Sequence, residues 1–324
     1  MFSFIVIVYN EENTVLETLE SIKYQIVNYG IDMKFQIIIA DDKSKDNSRK
    51  VIDAWLDKNS NLFELIDRLY YDENLGTCKN YSRALRNIRG EQFFSISGDD
   101  IIANMNIFLK FNDLKKYDIV LNSSLLLHDK GKIEYNRKKY LTIVLQGCMD
   151  FSYIKWATKL GSPILNGAIY RKELLTEEIL EYMDAFDLVD DRPRYYKMFQ
   201  SNKLKLKYDN SPIILYRISD WSVSAKQGQY SERHNKDIMM LYNDILKDET
   251  NCFNRIVIKL QRISCNWRGK GYIRNKLRYF TPYYIRFFLL CVRNRKKIRN
   301  LSQELLTNYG EWNEKYYNTI KKVQ

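Results

Sequence analysis

Continuous apolar runs that stop abruptly at polar clusters, each followed by a helical period, recur through the first hundred residues and leave this chain few folds to choose from. Phe4 to Val8 (FIVIV) ends at Tyr9, Asn10, Glu11 and Glu12, after which Val15, Leu16, Leu19, Ile22 and Ile26 fall on one helical face. Phe35 to Ala40 (FQIIIA) repeats the pattern, with a polar loop from Asp41 to Ser48 and a helix marked by Val51, Ile52, Trp55 and Leu56. A third unit runs from Leu69 to Tyr71, through Asn74, Leu75 and Gly76, to a helix carrying Tyr81, Ala84, Leu85 and Ile88, and then the strand Gln92 to Ser97. Strands that are apolar on both sides and alternate with helices predict an α/β fold with a mainly parallel sheet covered on both faces. In such sheets ligands bind outside the carboxyl ends of the strands. Three polar clusters, Tyr9-Asn10, Asp41-Asp42 and Gly98-Asp99-Asp100, are therefore expected at one crevice. Beyond Asp100 the pattern suggests strands at Ile119 to Leu121 and Ile213 to Arg217, helices at Glu173 to Met183 and Asp191 to about Gln200, and helix from about Tyr230 onward.

Paired carboxylates at a strand end are costly unless a cation neutralises them. Asp99 and Asp100 follow the strand Phe93 to Ser97, and their oxygens suit Mn²⁺ or Mg²⁺, ions that bridge carboxylates to substrate phosphates. A solvated acidic turn would give the same three letters. A carboxylate in the Asp41-Asp42-Lys43-Ser44 loop can accept a hydrogen bond from a base or ribose hydroxyl, whereas Asp46, Asn47 and Ser48 read as capping residues for the helix that follows.

In this order the clusters resemble the family 2 glycosyltransferases with the Rossmann-like GT-A fold. The opening from Phe4 to Glu12 looks like that family's first strand and nucleotide loop, and Ile37 to Ser48 like its second. Asn74-Leu75-Gly76 and the lead-in Arg89-Gly90-Glu91 to Gly98-Asp99-Asp100 resemble its third and fourth motifs. The resemblance is dense over residues 3–102 and looser to about 224. It implies that Tyr9 and Asp41 contact the nucleotide base, Asp99 the ribose or sugar, Asp100 the metal, and Lys79 the diphosphate. Leu188 to Lys197 (LVDDRPRYYK) looks like the family's acidic pair at the start of a helix. This makes Asp191 the catalytic base, with Asp190 as its electrostatic neighbour. The same aspartate ahead of Pro193 would also serve as a plain helix N-cap. In the closing loop, Leu215 to Ser224, Ser219 stands where the family often has a histidine ligand, and Asp220 could replace it.

The implied activity is inverting transfer of a sugar from a nucleoside-diphosphate donor, UDP-linked by expectation, to a hydroxyl of a glycan or lipid-linked acceptor. A capsule or lipopolysaccharide is the product to which the resemblance leans. Two alternatives stay open. A sugar nucleotidyltransferase would share the sheet but needs a glycine-rich basic loop after the first strand, where Tyr9 to Glu12 is acidic and glycine-free. A non-catalytic membrane-associated adaptor could keep the fold alone.

Charge is segregated along the chain. Of a net +12, the segment from Cys252 onward holds 17 Lys and Arg against three Asp and Glu, which leaves a slight negative balance for residues 1–251. The expected division is a GT-A domain over 1–225 and a helical, basic, aromatic-rich region over 226–324. Between Arg255 and Arg299 lie fourteen basic and no acidic residues, interleaved with aromatics. That composition suits an anionic membrane surface, or else aromatic faces docked on the catalytic domain. No nucleic-acid motif accompanies the basic stretch, so nucleic acid is not an expected partner. The five cysteines form no CxxC pair, the start reads as a strand rather than a signal peptide, and the longest apolar run is far short of the roughly 20 residues of a membrane span. These point to a cytoplasmic protein, peripheral on the inner face of the cytoplasmic membrane.

Overall fold

The computed structural model describes all residues except 129–130, 136–154, 157, 160–166, 202–203, 219–228, 266–281, 297–298, 301–308 and 323–324. Strands β1 (Phe2–Val8), β2 (Phe35–Asp41), β3 (Leu65–Tyr70) and β4 (Gln92–Ser97) form an all-parallel sheet in the order β3-β2-β1-β4. Helices α1 (Val15–Tyr29), α2 (Ser48–Asn59) and α3 (Thr77–Arg86) connect them. Alternation along each strand assigns the faces. Phe4, Val6, Ile37, Ile39 and Ile96 pack with Leu19 and Ile22 of α1 and Ile52 and Trp55 of α2. Ile5, Ile38 and Phe93 pack on the other side with Tyr81, Ala84 and Leu85 of α3. Ile5 and Ile38 are fully buried, so truncating either to alanine should cost about 2–5 kcal/mol. Register aligns the strand ends: Val8 pairs with Asp41, and Ile7 with Ser97. The polar loops therefore leave the sheet along one edge, as the sequence pattern requires.

A second, mixed sheet holds β5 (Ile101–Ile102), β6 (Ile119–His128), β7 (Ile133–Tyr135), β8 (Ala168–Tyr170) and β9 (Leu206–Ile218). Here β6 and β9 are parallel, and the other pairings are antiparallel. After the short α4 (Phe108–Phe111), helices α5 (Glu177–Asp184) and α6 (Asp191–Ser201) add to the α3 side of the core. The strand expected at Ile119 to Leu121 runs on to His128. Asn122, Ser123 and Ser124 interrupt its apolar run, yet all three are buried, and Asn122 Nδ2 donates to the Gly167 carbonyl at 3.0 Å. The strand expected from Leu69 begins instead at Leu65, because β3 is the edge of its sheet and tolerates Arg68, which pairs with Asp53 on α2 at 2.9 Å.

The C-terminal helices are α7 (Gln229–Asp248), α8 (Cys252–Cys265), α9 (Pro282–Arg293) and α10 (Glu311–Lys321). Ile238, Leu241, Tyr242 and Ile245 of α7 and Ile258 of α8 share a core with Cys78, Phe186, Val189 and Tyr196. Tyr316, Tyr317 and Ile320 of α10 pack on Ile101, Leu125 and Leu215 of the second sheet. Helices α7, α8 and α10 thus pack against the first two hundred residues of the chain. Other faces stay bare: Phe253, Ile256, Leu260 and Ile263 on α8, and Ile285, Phe288, Leu289 and Val292 on α9, are exposed. Among the described residues no helix is long and apolar enough to cross a membrane.

Candidate functional site

At the carboxyl edge of the parallel sheet the loops are tied to one another by short side-chain bonds. Asn10, in the left-handed region at φ 58°, receives its N–H bond partner from the neighbouring loop, donating to Ser44 Oγ at 2.8 Å, while its own Oδ1 accepts from Lys45 N at 2.7 Å. Glu11 N donates to Ser48 Oγ at 2.7 Å, and Glu12 N to Asp46 Oδ2 at 3.0 Å. Of the residues read as caps for α2, Asn47 makes no side-chain capping bond and Asp46 accepts from Ser48 N at 3.0 Å, while Asp46 and Ser48 clamp the first loop. Asp41 is fully buried; its Oδ1 accepts from Ser44 N at 3.0 Å and from Arg49 Nε at 2.5 Å, and its Oδ2 has no partner in the protein. Asp42 turns to the third motif. Its two oxygens accept from Leu75 N at 2.8 Å and Gly76 N at 2.9 Å. Burial raises its pKa despite those two bonds, with the Asp41 charge adding to the rise.

A cavity of about 470 Å³ opens beside this edge, and Asp99, Asp100, Asp190 and Asp191 all line it. Two of these carboxylates come from the end of β4 and two from the start of α6, some ninety residues later in sequence. Asp100 is buried, and its Oδ1 accepts from Arg217 N at 2.9 Å; Arg217 Nε in turn donates to the Asp99 carbonyl at 2.7 Å and its guanidinium pairs with Glu17. Burial raises the pKa of Asp99, opposed by a hydrogen bond from Ser97 and by the charge of Arg217. On the far wall, burial raises Asp190, opposed by Arg194 and reinforced by Asp191. Arg194 Nη1 lies 3.3 Å from Asp190 Oδ2. Its guanidinium sits over the rings of Tyr81, Tyr195 and Tyr170 at 4.8, 5.1 and 5.6 Å. Asp191 opens α6 and its Oδ1 accepts from Arg192 N at 2.7 Å.

The sequence-derived residues therefore divide. Asp99, Asp100, Asp190 and Asp191 meet at one cavity. Tyr9, half-buried, and Asp41 stand on the adjoining loops without lining it, and Lys79 is exposed on α3, whose cavity-lining residues are Thr77 and Tyr81. Asp220 lies outside the described residues. Sequence reasoning did not single out Arg194, although its spacing of four from Asp190 on a helix was a usable signal. It also passed over Glu17, Tyr170 and Tyr195, whose roles depend on partners far along the chain. Among the described residues no group of three or more His, Cys, Asp or Glu side chains could hold a metal ion by itself. Asp99 and Asp100 do offer hard oxygen donors, so a cation here would have to complete its shell with substrate phosphate and water.

A parallel, doubly wound sheet with acidic side chains gathered at its carboxyl edge defines a nucleotide-binding class of fold, and comparison with known proteins narrows it. The glycosyl transferase family 2 model matches residues 3–178, more than half of the chain, which belongs to that family. An uncharacterized glycosyltransferase of Rickettsia conorii is 25% identical over 264 residues, covering 77% of this chain and 39% of its own length. One from Mycoplasma genitalium is 30% identical over 122 residues, 37% of this chain and 39% of that protein. The chain thus spans about two fifths of the length of these relatives. Among solved structures, residues 1–349 of S. aureus TarS in complex with UDP-GlcNAc superpose with a TM-score of 0.54 at 18% identity, over 99% of this chain and 90% of that one. The mannosyltransferase PcManGT of Pyrobaculum calidifontis, in complex with GDP-Man and Mn²⁺, gives 0.51 at 14% identity, over 99% and 86%. The fold is the GT-A fold of these glycosyltransferases.

Proposed function

We propose that this glycosyltransferase moves a sugar, with inversion, from a nucleoside-diphosphate donor to a hydroxyl of a glycan or lipid-linked acceptor in cell-surface polysaccharide synthesis. The observation that carries the reading is the meeting of two carboxylate pairs across one cavity, Asp99-Asp100 and Asp190-Asp191. The nucleotide lies along the loops of Tyr9 and Asp41, where the unpartnered Asp41 Oδ2 is an acceptor for a base N–H. Asp99 addresses the ribose or sugar. Asp191 removes the proton of the acceptor hydroxyl as its oxygen bonds to the anomeric carbon, while the bond from that carbon to the diphosphate breaks on the opposite face. Asp190, held by Arg194, keeps the field around that base fixed. A Mn²⁺ or Mg²⁺ ion bound by Asp100 would supply charge stabilisation for the departing diphosphate. UDP donors come first, because one structural relative was solved with UDP-GlcNAc; the GDP-Man complex of another makes GDP donors the next choice.

Calorimetric titration of UDP and GDP, with Mn²⁺ and then EDTA, tests the donor site. Saturable binding of one nucleotide, weakened by EDTA and by Asp100→Asn, is the expected result. Failure of both nucleotides to bind under any condition would remove the donor assignment.

We further propose that the C-terminal helices bring the protein to an anionic membrane surface on the cytoplasmic side, where a lipid-linked acceptor would be within reach. Exposed Ile285, Phe288, Leu289 and Val292 on α9 are followed by Arg293, Arg295, Lys296 and Arg299, also exposed. A bare apolar face beside a basic cluster suits an anionic leaflet, at about 1 kcal/mol per basic residue near the surface. The protein should sediment with anionic vesicles and not with neutral ones; equal recovery with both would discard the membrane assignment.

A further inference from the structure

The segment that carries the acidic pair is held from outside the fold's sheet. Asp237, on α7, is 3% exposed, and its carboxylate accepts from three consecutive backbone N–H groups. Leu188 N and Val189 N donate to Oδ2 at 2.7 and 3.0 Å, and Asp187 N is shared between Oδ1 and Oδ2 at 3.2 Å each. One turn earlier on the same helix, Arg233 grips the side chain of Asp187 with two bonds of 2.5 Å. From the other side, the Asp187 carbonyl accepts from Cys78 N at 3.0 Å. Gly76, at φ +88°, presses so closely that a Cβ there would lie 2.2 Å from Asp187 Oδ1. The residues immediately after this bound stretch are Asp190 and Asp191.

We infer that Asp237 is a positioning residue, whose carboxylate fixes residues 187–189 and thereby sets Asp190 and Asp191 against the cavity. Three successive N–H groups turned to one side are a concave anion site in the backbone, and a buried, charged acceptor is the strong partner for it. Nothing in the arrangement needs Asp237 to touch substrate. Its effect on the reaction rests on the transferase reading above, since a base displaced by about 1 Å costs on the order of 10²-fold in rate. The same geometry makes α7 part of the catalytic machinery although it begins at Gln229, past the last residue of the expected catalytic domain.

The test is a pair of variants, Asp237→Ala and Asp237→Asn, the second isosteric so that a folded protein remains available. Amide exchange read by mass spectrometry on peptides spanning residues 186–192 reports the clamp directly. Faster exchange there, with α2 unchanged, is expected for Asp237→Ala, and a smaller gain for Asp237→Asn. In parallel, turnover of UDP-GlcNAc and GDP-mannose as probe donors should fall about 10²-fold in Asp237→Ala, with nucleotide affinity within about two-fold of wild type. Unchanged exchange at 186–192, or turnover and nucleotide affinity falling together as in a general loss of structure, would overturn the inference. If the wild-type protein itself turns over neither donor, the transferase reading is what has failed, and the exchange result alone decides the clamp.

Discussion

Two regions at the carboxyl edge of the sheet, one beside the cavity and one lining it, are held in opposite ways. Beside the cavity, loops 9–12 and 42–48 hold each other through their own short side chains, and both leave neighbouring strands at matched register. On the acidic-pair side, residues 187–189 belong to no strand and lie between α5 and α6. They depend on a helix nearly fifty residues later and on the third-motif glycine. The difference teaches that one region is a consequence of sheet geometry, whereas the other is an assembly of distant parts. The first should be robust to single losses and the second brittle.

Gly76→Ala is the hardest blow to that contrast. The residue combines a left-handed φ with a Cβ path blocked by Asp187, so the variant should lose about 2–4 kcal/mol in chemical denaturation. A loss below about 0.5 kcal/mol would mean that the acidic-pair loop yields easily and the brittle side is not brittle. Ser48→Ala should cost less, about 1 kcal/mol, because Glu12 still bonds Asp46 and Asn10 still bonds Ser44 and Lys45. A cost as large as that of Gly76→Ala would erase the distinction between the two regions.

The smallest effect is in pH. Burial raises the pKa of Asp190, so the folded protein takes up its proton more readily than the unfolded chain. Its contribution to stability therefore grows as pH falls through its raised folded value toward the ordinary aspartate range, and is lost as pH rises through that value. Asp190→Asn should flatten this part of the melting profile relative to wild type. Parallel profiles would show that Arg194 fully offsets the burial.

How much of this could be read in the sequence follows the same division. The strands β1 and β2 are apolar on both faces and β4 largely so, and periodicity with polar terminators marks these strands, their helices and the loops at their ends; their order in the sheet comes from the structure alone. Asp99-Asp100 was legible because the pair sits at a strand end, and Asp190-Asp191 because it opens a helix after the earlier motifs. β6 was read short because buried asparagine and serines look like a loop until their partners are known. Asp237 carried no signal at all: a single aspartate on a polar helical face becomes a clamp only once α7 lies across residues 187–189. Lys79 shows the converse. A basic residue on the right helix was legible, but one position along α3 decides which side it faces, and Thr77 and Tyr81 take the cavity side.

The central claim is that Asp191 is the base of a sugar transfer, and the direct measurement is donor turnover by Asp191→Asn beside the wild type, with nucleotide affinity measured on both. Asparagine caps a helix as well as aspartate does and can still accept from Arg192 N, so the fold and the donor site should survive the change. Turnover reduced by about 10²–10⁴-fold with nucleotide affinity unchanged is the predicted result. Turnover within a few-fold of wild type would contradict the account and return Asp191 to the role of a helix cap.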